Sequence, residues 1–172
     1  MDAVARLVEL PAMHPLLLWD DIILATVAVL GGRGTPLPFR FPLETQDLPG
    51  FGSQSLNLVI DAVNVPADRV TRLQRTYEPA RLVELAAIAI AGLGLYHGGG
   101  HEIKDIAVRG SAADYLVGEA RHHLEIAGRS RRSDFSSSWQ ARWDRLTERL
   151  GGGFYVCVAE FETPAGRLAF AT

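Results

Sequence analysis

From Leu82 to Tyr96 the chain carries apolar side chains around almost the whole circumference of a helix, and Gly98, Gly99 and Gly100 stop it. A helix without a polar face must be covered, so it lies under a sheet. Directly after these glycines the period drops to two. His101 to Gly110, Asp114 to Val117 and Arg121 to Ala127 read as three short strands, with turn-rich joints at Gly110-Ser111 and Gly118-Glu119, which describes an antiparallel meander. Ser133-Asp134 then offers a cap for a helix in which Phe135, Trp139, Trp143, Leu146 and Leu150 recur every three to four residues. After Gly151, Gly152 and Gly153, Phe154 to Glu162 reads as a strand, and Thr163-Pro164-Ala165-Gly166 turns the chain back into Arg167 to Phe170. The expected fold is α/β, a mixed sheet flanked by helices, and Tyr77 to Phe170 runs helix, three strands, helix, strand.

The first 70 residues are expected to be an elaboration of the same single domain, because 172 residues make one domain with a real core and too little for two. His14 to Leu30 reads as a buried or interface helix ended by Gly31-Gly32-Arg33-Gly34. Prolines 36, 38, 42 and 49 imply an irregular stretch with one edge strand around Phe39 to Leu43. Leu56 to Asp61 has strand composition, and Pro66 opens a short helix.

A hydrophobic share of 48% with 22% charged residues excludes a disordered chain. Asp20 and Asp21 interrupt the oily stretch from His14 to Gly31, leaving less than the roughly 20 apolar residues of a membrane span. The lone Cys157 forms no intrachain disulfide, and Met1 to Arg6 lacks the pattern of a secretory signal, so a cytoplasmic location is expected. A net charge of -3 supplies no global field for nucleic acid, so any such role rests on local charge.

A two-residue turn at Glu119-Ala120 pairs Gly118 with Arg121 and Val117 with His122, and counting back sets Asp114 opposite Glu125 on one face. Cβ atoms of opposed residues lie about 4.5–5.5 Å apart, so two carboxylates there repel unless a cation or proton intervenes. Mg²⁺ is one answer, since it takes one or two carboxylates plus a substrate phosphate. The other is an arginine at a strand end, Arg109, Arg121 or Arg129.

This element order resembles the core of PD-(D/E)xK nucleases, the restriction-endonuclease-like fold. In that family an aspartate on the second strand and a glutamate opening Glu-x-Lys on the third bind metal. Gly110-Ser-Ala-Ala-Asp114-Tyr-Leu-Val117 resembles the aspartate strand, and His123-Leu-Glu125-Ile-Ala127-Gly128 the Glu-x-Lys strand with its following glycine. The resemblance covers Tyr77 to Phe170. It implies a Mg²⁺-dependent nucleic-acid phosphodiesterase, with Asp114 and Glu125 as metal ligands and Glu84 assisting from the first helix. It also implies the alternative of a nuclease-like scaffold that has lost catalysis and serves as a binding or assembly subunit in a nucleic-acid-processing or defence complex. Ala127 stands in the position of the family's lysine, and a methyl group cannot orient water or stabilise developing charge. Arg129 and Lys104, the only lysine, are the candidates to replace it; Arg129 is expected to contact phosphate.

Arg121, His122, His123, Arg129, Arg131 and Arg132 form the one cationic cluster in the sequence, suited to a phosphate backbone or to a solvated turn. Trp139 and Trp143 have core spacing rather than that of a base-stacking platform. His97 and His101 are separated by glycines that preclude a helical zinc pair, and the glycine-rich segments lack the remaining residues of any nucleotide fingerprint. Leu16 to Leu18, Trp19 and Ile22 are expected to make a subunit contact, so a protein partner or a homo-oligomer is anticipated.

Overall fold

The computed structural model describes residues 1–32 and 37–172. Among them one eight-stranded mixed sheet runs the length of the molecule, with helices on both faces. Its strands are β1 (Asp2–Arg6), β2 (Phe39–Leu48), β3 (Gly52–Asp61), β4 (Ile103–Ile106), β5 (Tyr115–Val117), β6 (His122–Arg129), β7 (Phe154–Glu160) and β8 (Ala165–Ala171), ordered β1-β3-β2-β8-β7-β6-β5-β4. The α-helices are α1 (Leu10–Met13), α2 (Asp20–Gly31), α3 (Ala67–Thr76), α4 (Pro79–His97) and α5 (Phe135–Leu150).

The all-apolar helix lies under the sheet as its composition requires. α4 is long and apolar enough to cross a membrane, and 72% of its apolar window is buried inside the protein. It shares a core with α2 and with one face of the sheet, including Leu43, Leu58, Leu124, Cys157 and Leu168. Burying a side chain of this size contributes about 1.5–3 kcal/mol, and this side of the molecule holds most of the core. Among the described residues the opposite face is covered by α5, whose Trp139 and Leu146 pack on Ala127, Phe154, Val156, Val158 and Ala169. Trp139 is buried, as its spacing implied, and Trp143 is partly buried and stacks on it at 5.6 Å between ring centroids.

The meander has the expected register, with β4 and β5 shorter than expected and β6 running on to Arg129. β5 pairs antiparallel with β6 through Val117↔His122 and Tyr115↔Leu124, and Arg121 N–H closes the turn on the Gly118 carbonyl at 3.0 Å. β7 runs parallel to β6, joined through α5. Close packing of α4 on β6 depends on Gly128, where a Cβ would lie 2.4 Å from the Val83 carbonyl oxygen.

Residues 1–70 join the same sheet through β1, β2 and β3, and depart from their sequence reading in several respects. β1 pairs in parallel with β3, Asp2↔Asn57 to Arg6↔Asp61; five residues carrying a charge at each end offered no alternation strong enough to show it. β2 is an interior strand of ten residues rather than an edge strand ending at Leu43. It tolerates Pro42 because its ladder with β8 begins only at Leu43, beyond the missing N–H. The helix expected from His14 starts instead at Asp20, and Arg33, Gly34 and Pro36 lie outside the described residues.

His14 explains that late start. Its ring is buried and acts as a fastener: Ile103 N–H donates to Nδ1 at 3.0 Å, so Nε2 carries the proton and donates to the Gly92 carbonyl at 3.0 Å. Trp19 Nε1 donates to the His14 carbonyl at 2.9 Å, tying α2's entrance to α4 and β4. Trp19 and Ile22 are therefore core residues and not the subunit contact expected of them; of that group only Leu16 and Leu18 are exposed.

Candidate functional site

β5 ends at Tyr115 while β6 runs on to Arg129, so the edge of β6 from Ile126 onward lacks a β5 partner. A cleft of about 350 Å³ occupies that gap. α4 lines it with Arg81, Glu84 and Ile88, β6 with Ile126 to Arg129, and α5 with Arg142; Ile106, Asp114 and Tyr115 close it. Three of the four anticipated residues, Glu84, Asp114 and Arg129, meet here, together with Ala127.

Glu125 does not line the cleft. Continuing the β5–β6 register by one residue sets it against Asp114, but the ladder stops at Tyr115 and the two carboxylates have different partners. Asp114 N–H donates to the Leu124 carbonyl at 3.0 Å, and Asp114 Oδ2 accepts from Ile126 N–H at 3.0 Å, standing in for a strand carbonyl that β5 no longer supplies. Glu125, only 8% exposed, lies under α5, where Arg145 Nη2 donates to its Oε1 and Arg142 Nε lies 3.6 Å from the same oxygen. Burial, and then the nearby Asp114 charge, push the Glu125 carboxyl upward against the pull of the two arginines.

The Glu125 charge is thus met by arginines, although not by Arg109, Arg121 or Arg129. Arg142 and Arg145 come from α5, three residues apart beside the apolar seam of that helix. A signal for them was present. A buried strand glutamate needs a cation from whatever covers its face, and the helix between two parallel strands supplies that cover.

Each of the three candidate metal ligands has one oxygen engaged, Glu125 Oε1 by Arg145, Asp114 Oδ2 by the Ile126 N–H and Glu84 Oε2 by Arg81 at 3.0 Å, pairings with which a divalent cation would compete. No group of three or more His, Cys, Asp or Glu side chains among the described residues is placed to hold a metal ion.

Lys104 is not the missing lysine of the cleft. It pairs with Glu102 at 2.7 Å and Glu119 at 3.1 Å, and both partners raise its affinity for its proton. The cationic cluster of the sequence also disperses. Arg121 pairs with Asp105 at 3.1 Å, Arg132 with Glu160 at 3.3 Å, and His122 Nδ1 contacts the Gly153 carbonyl at 3.0 Å. His101 Nε2 contacts the Pro49 carbonyl at 2.8 Å.

Arg129 and Arg142 remain at the cleft. Arg129 makes no ion pair among the described residues, and the one hydrogen bond of its side chain there runs from Nη1 to the Gly128 carbonyl at 2.8 Å. Arg142 donates through Nη1 to the Ser138 carbonyl and hydroxyl at 3.1 and 2.8 Å, and its buried Nε has no hydrogen-bond partner. Burial, and then the neighbouring Arg129 charge, lower the Arg142 proton affinity. Two like charges held together in a partly desolvated cleft favour an anion between them.

Comparison with protein-family models, with curated proteins and with solved structures gives no match to this chain.

Proposed function

We propose that this chain is a nuclease-like scaffold that does not cut and serves as a binding or assembly subunit of a nucleic-acid-processing or defence complex. The observation that carries this reading is the capture of Glu125 by Arg145 and Arg142, which assigns the buried carboxylate to an ion pair where a PD-(D/E)xK enzyme would hold metal. Ala127 in the lysine position, now a wall of the cleft, agrees with it. The helix, meander, helix and parallel strand of α4 to β7 supply the likeness to the restriction-endonuclease core. Exposed Leu16 and Leu18, at the turn entering α2, are the apolar side chains offered to a partner or a second copy.

A second reading, a Mg²⁺-dependent phosphodiesterase, draws on Glu84 and Asp114 lining one cleft. Incubation of the purified protein with single- and double-stranded DNA and RNA in Mg²⁺ or Mn²⁺ separates the two. Intact substrates are expected. Cutting that disappears in Asp114→Ala would establish the phosphodiesterase instead.

A further inference from the structure

We infer that the cleft between α4, the bare edge of β6 and α5 binds a nucleoside 5′-monophosphate group, with its phosphate between Arg129 and Arg142 and its nucleoside against Tyr115, Ile106 and Ile126. The inference rests on the non-cutting reading above and names the ligand that such a cleft takes.

Three guanidiniums line the cleft, from Arg81, Arg129 and Arg142, against two carboxylates, from Glu84 and Asp114. One oxygen of each acid is already engaged. Glu84 accepts from Arg81 at 3.0 Å, and Asp114 Oδ2 accepts from Ile126 N–H. Arg129 and Arg142 each spend their protein hydrogen bonds through Nη1 alone among the described residues. Their remaining N–H groups suit the oxygens of a phosphate, which guanidinium forks bind through paired hydrogen bonds. Glu125 cannot neutralise both, because it is held chiefly by Arg145 and lies under α5.

The rest of the lining selects what carries the phosphate. Ile88, Ile106, Ile126 and Tyr115 form an apolar and aromatic wall beside the arginines, the combination that accepts a planar base next to a charged group. A volume of about 350 Å³ lies at the small end of the roughly 300–1,000 Å³ usual for ligand sites. It is of a size for one nucleotide. Ala127 contributes only a methyl group to the wall, leaving space that a longer side chain would fill.

Calorimetric titration of the full chain in EDTA, with AMP, adenosine and inorganic phosphate, tests the assignment. AMP is expected to bind more tightly than either fragment. Arg129→Gln is expected to weaken AMP binding about tenfold or more, the scale of one or two charge-assisted hydrogen bonds. Arg142→Gln is expected to do the same, but it also disturbs Ser138 and Glu125, so Arg129→Gln is the decisive variant. A short oligodeoxynucleotide with a 5′-phosphate, compared with its 5′-hydroxyl form, separates a chain end from a free nucleotide; preference for the phosphorylated form supports the same site. AMP binding no tighter than adenosine or phosphate, or unchanged in Arg129→Gln, would overturn the inference. Metal-dependent cutting lost in Asp114→Ala would instead overturn the non-cutting reading, which the EDTA titrations do not probe.

Discussion

Glu125 of β6 and Arg145 of α5 are joined by a charge-assisted hydrogen bond, with Arg142 at 3.6 Å from the same carboxylate oxygen. The carboxylate is largely buried, so removing its partners leaves an uncompensated charge, which costs about 3–5 kcal/mol when burial is complete. Arg145 is about half exposed, which discounts its share. Arg145→Ala is expected to lower stability by about 1–2 kcal/mol and the Arg142→Ala/Arg145→Ala pair by about 3 kcal/mol, read from urea unfolding. Glu125→Gln, which removes the charge with the shape kept, should be milder than the double variant. A double variant as stable as the parent would show that the ion pair does not hold the carboxylate.

His14 gives the fold an acid-sensitive joint. Its ring accepts from Ile103 N–H, and burial lowers its pKa below the ordinary 6.5, with Gly92 and Glu102 opposing that shift more weakly. The folded state thus binds fewer protons than the unfolded one. Its contribution is fully present above pH 6.5 and is lost as pH falls through the lowered folded value. Unfolding midpoints measured between neutral pH and pH 5 are expected to fall in the parent and to fall less in His14→Gln, which is less stable at neutral pH. Parallel profiles would exclude His14 as the source.

Gly128 sets the distance between α4 and β6. A methyl group there would meet Val83 backbone atoms at 2.4 and 2.8 Å, so one element must move. Gly128→Ala is expected to cost about 1–3 kcal/mol, the usual penalty for overpacking, and to disturb the cleft that both elements line. Thermal unfolding with calorimetry checks the loss, and an unchanged midpoint would contradict the close approach.

Cys157 is fully buried between β6 and β8, and burial pushes its thiol up to about 12. In the native protein it should be inert to a thiol reagent at pH 8 and react only through unfolding. A modification rate that tracks urea concentration confirms this, and fast labelling without denaturant would contradict it.

The parts legible in the sequence were those dominated by one strong local signal. α4 announced itself by having no polar face, α5 by the Trp139, Trp143, Leu146 seam, and the β5–β6 register by the Gly118 to Arg121 turn. The parts hidden from it depend on distant partners. β1 becomes a strand only because β3 offers its edge, and Pro42 is harmless only because β8 joins one residue later. At the cleft, Glu84, Asp114 and Arg129 were readable as residue types in order, but the placement of Glu125 under Arg142 and Arg145 follows from α5 crossing over β6. Spacing within β6 alone does not name the helix that covers it; the parallel crossover from β6 to β7 does.

Titrating Mg²⁺, and separately Mn²⁺, into the metal-free protein by calorimetry tests whether Glu125 has been given over to arginine. No saturable binding is expected, in the parent or in Asp114→Asn. One ion bound per chain, with affinity lost in both Asp114→Asn and Glu125→Gln, would contradict that expectation and return the cleft to metal chemistry.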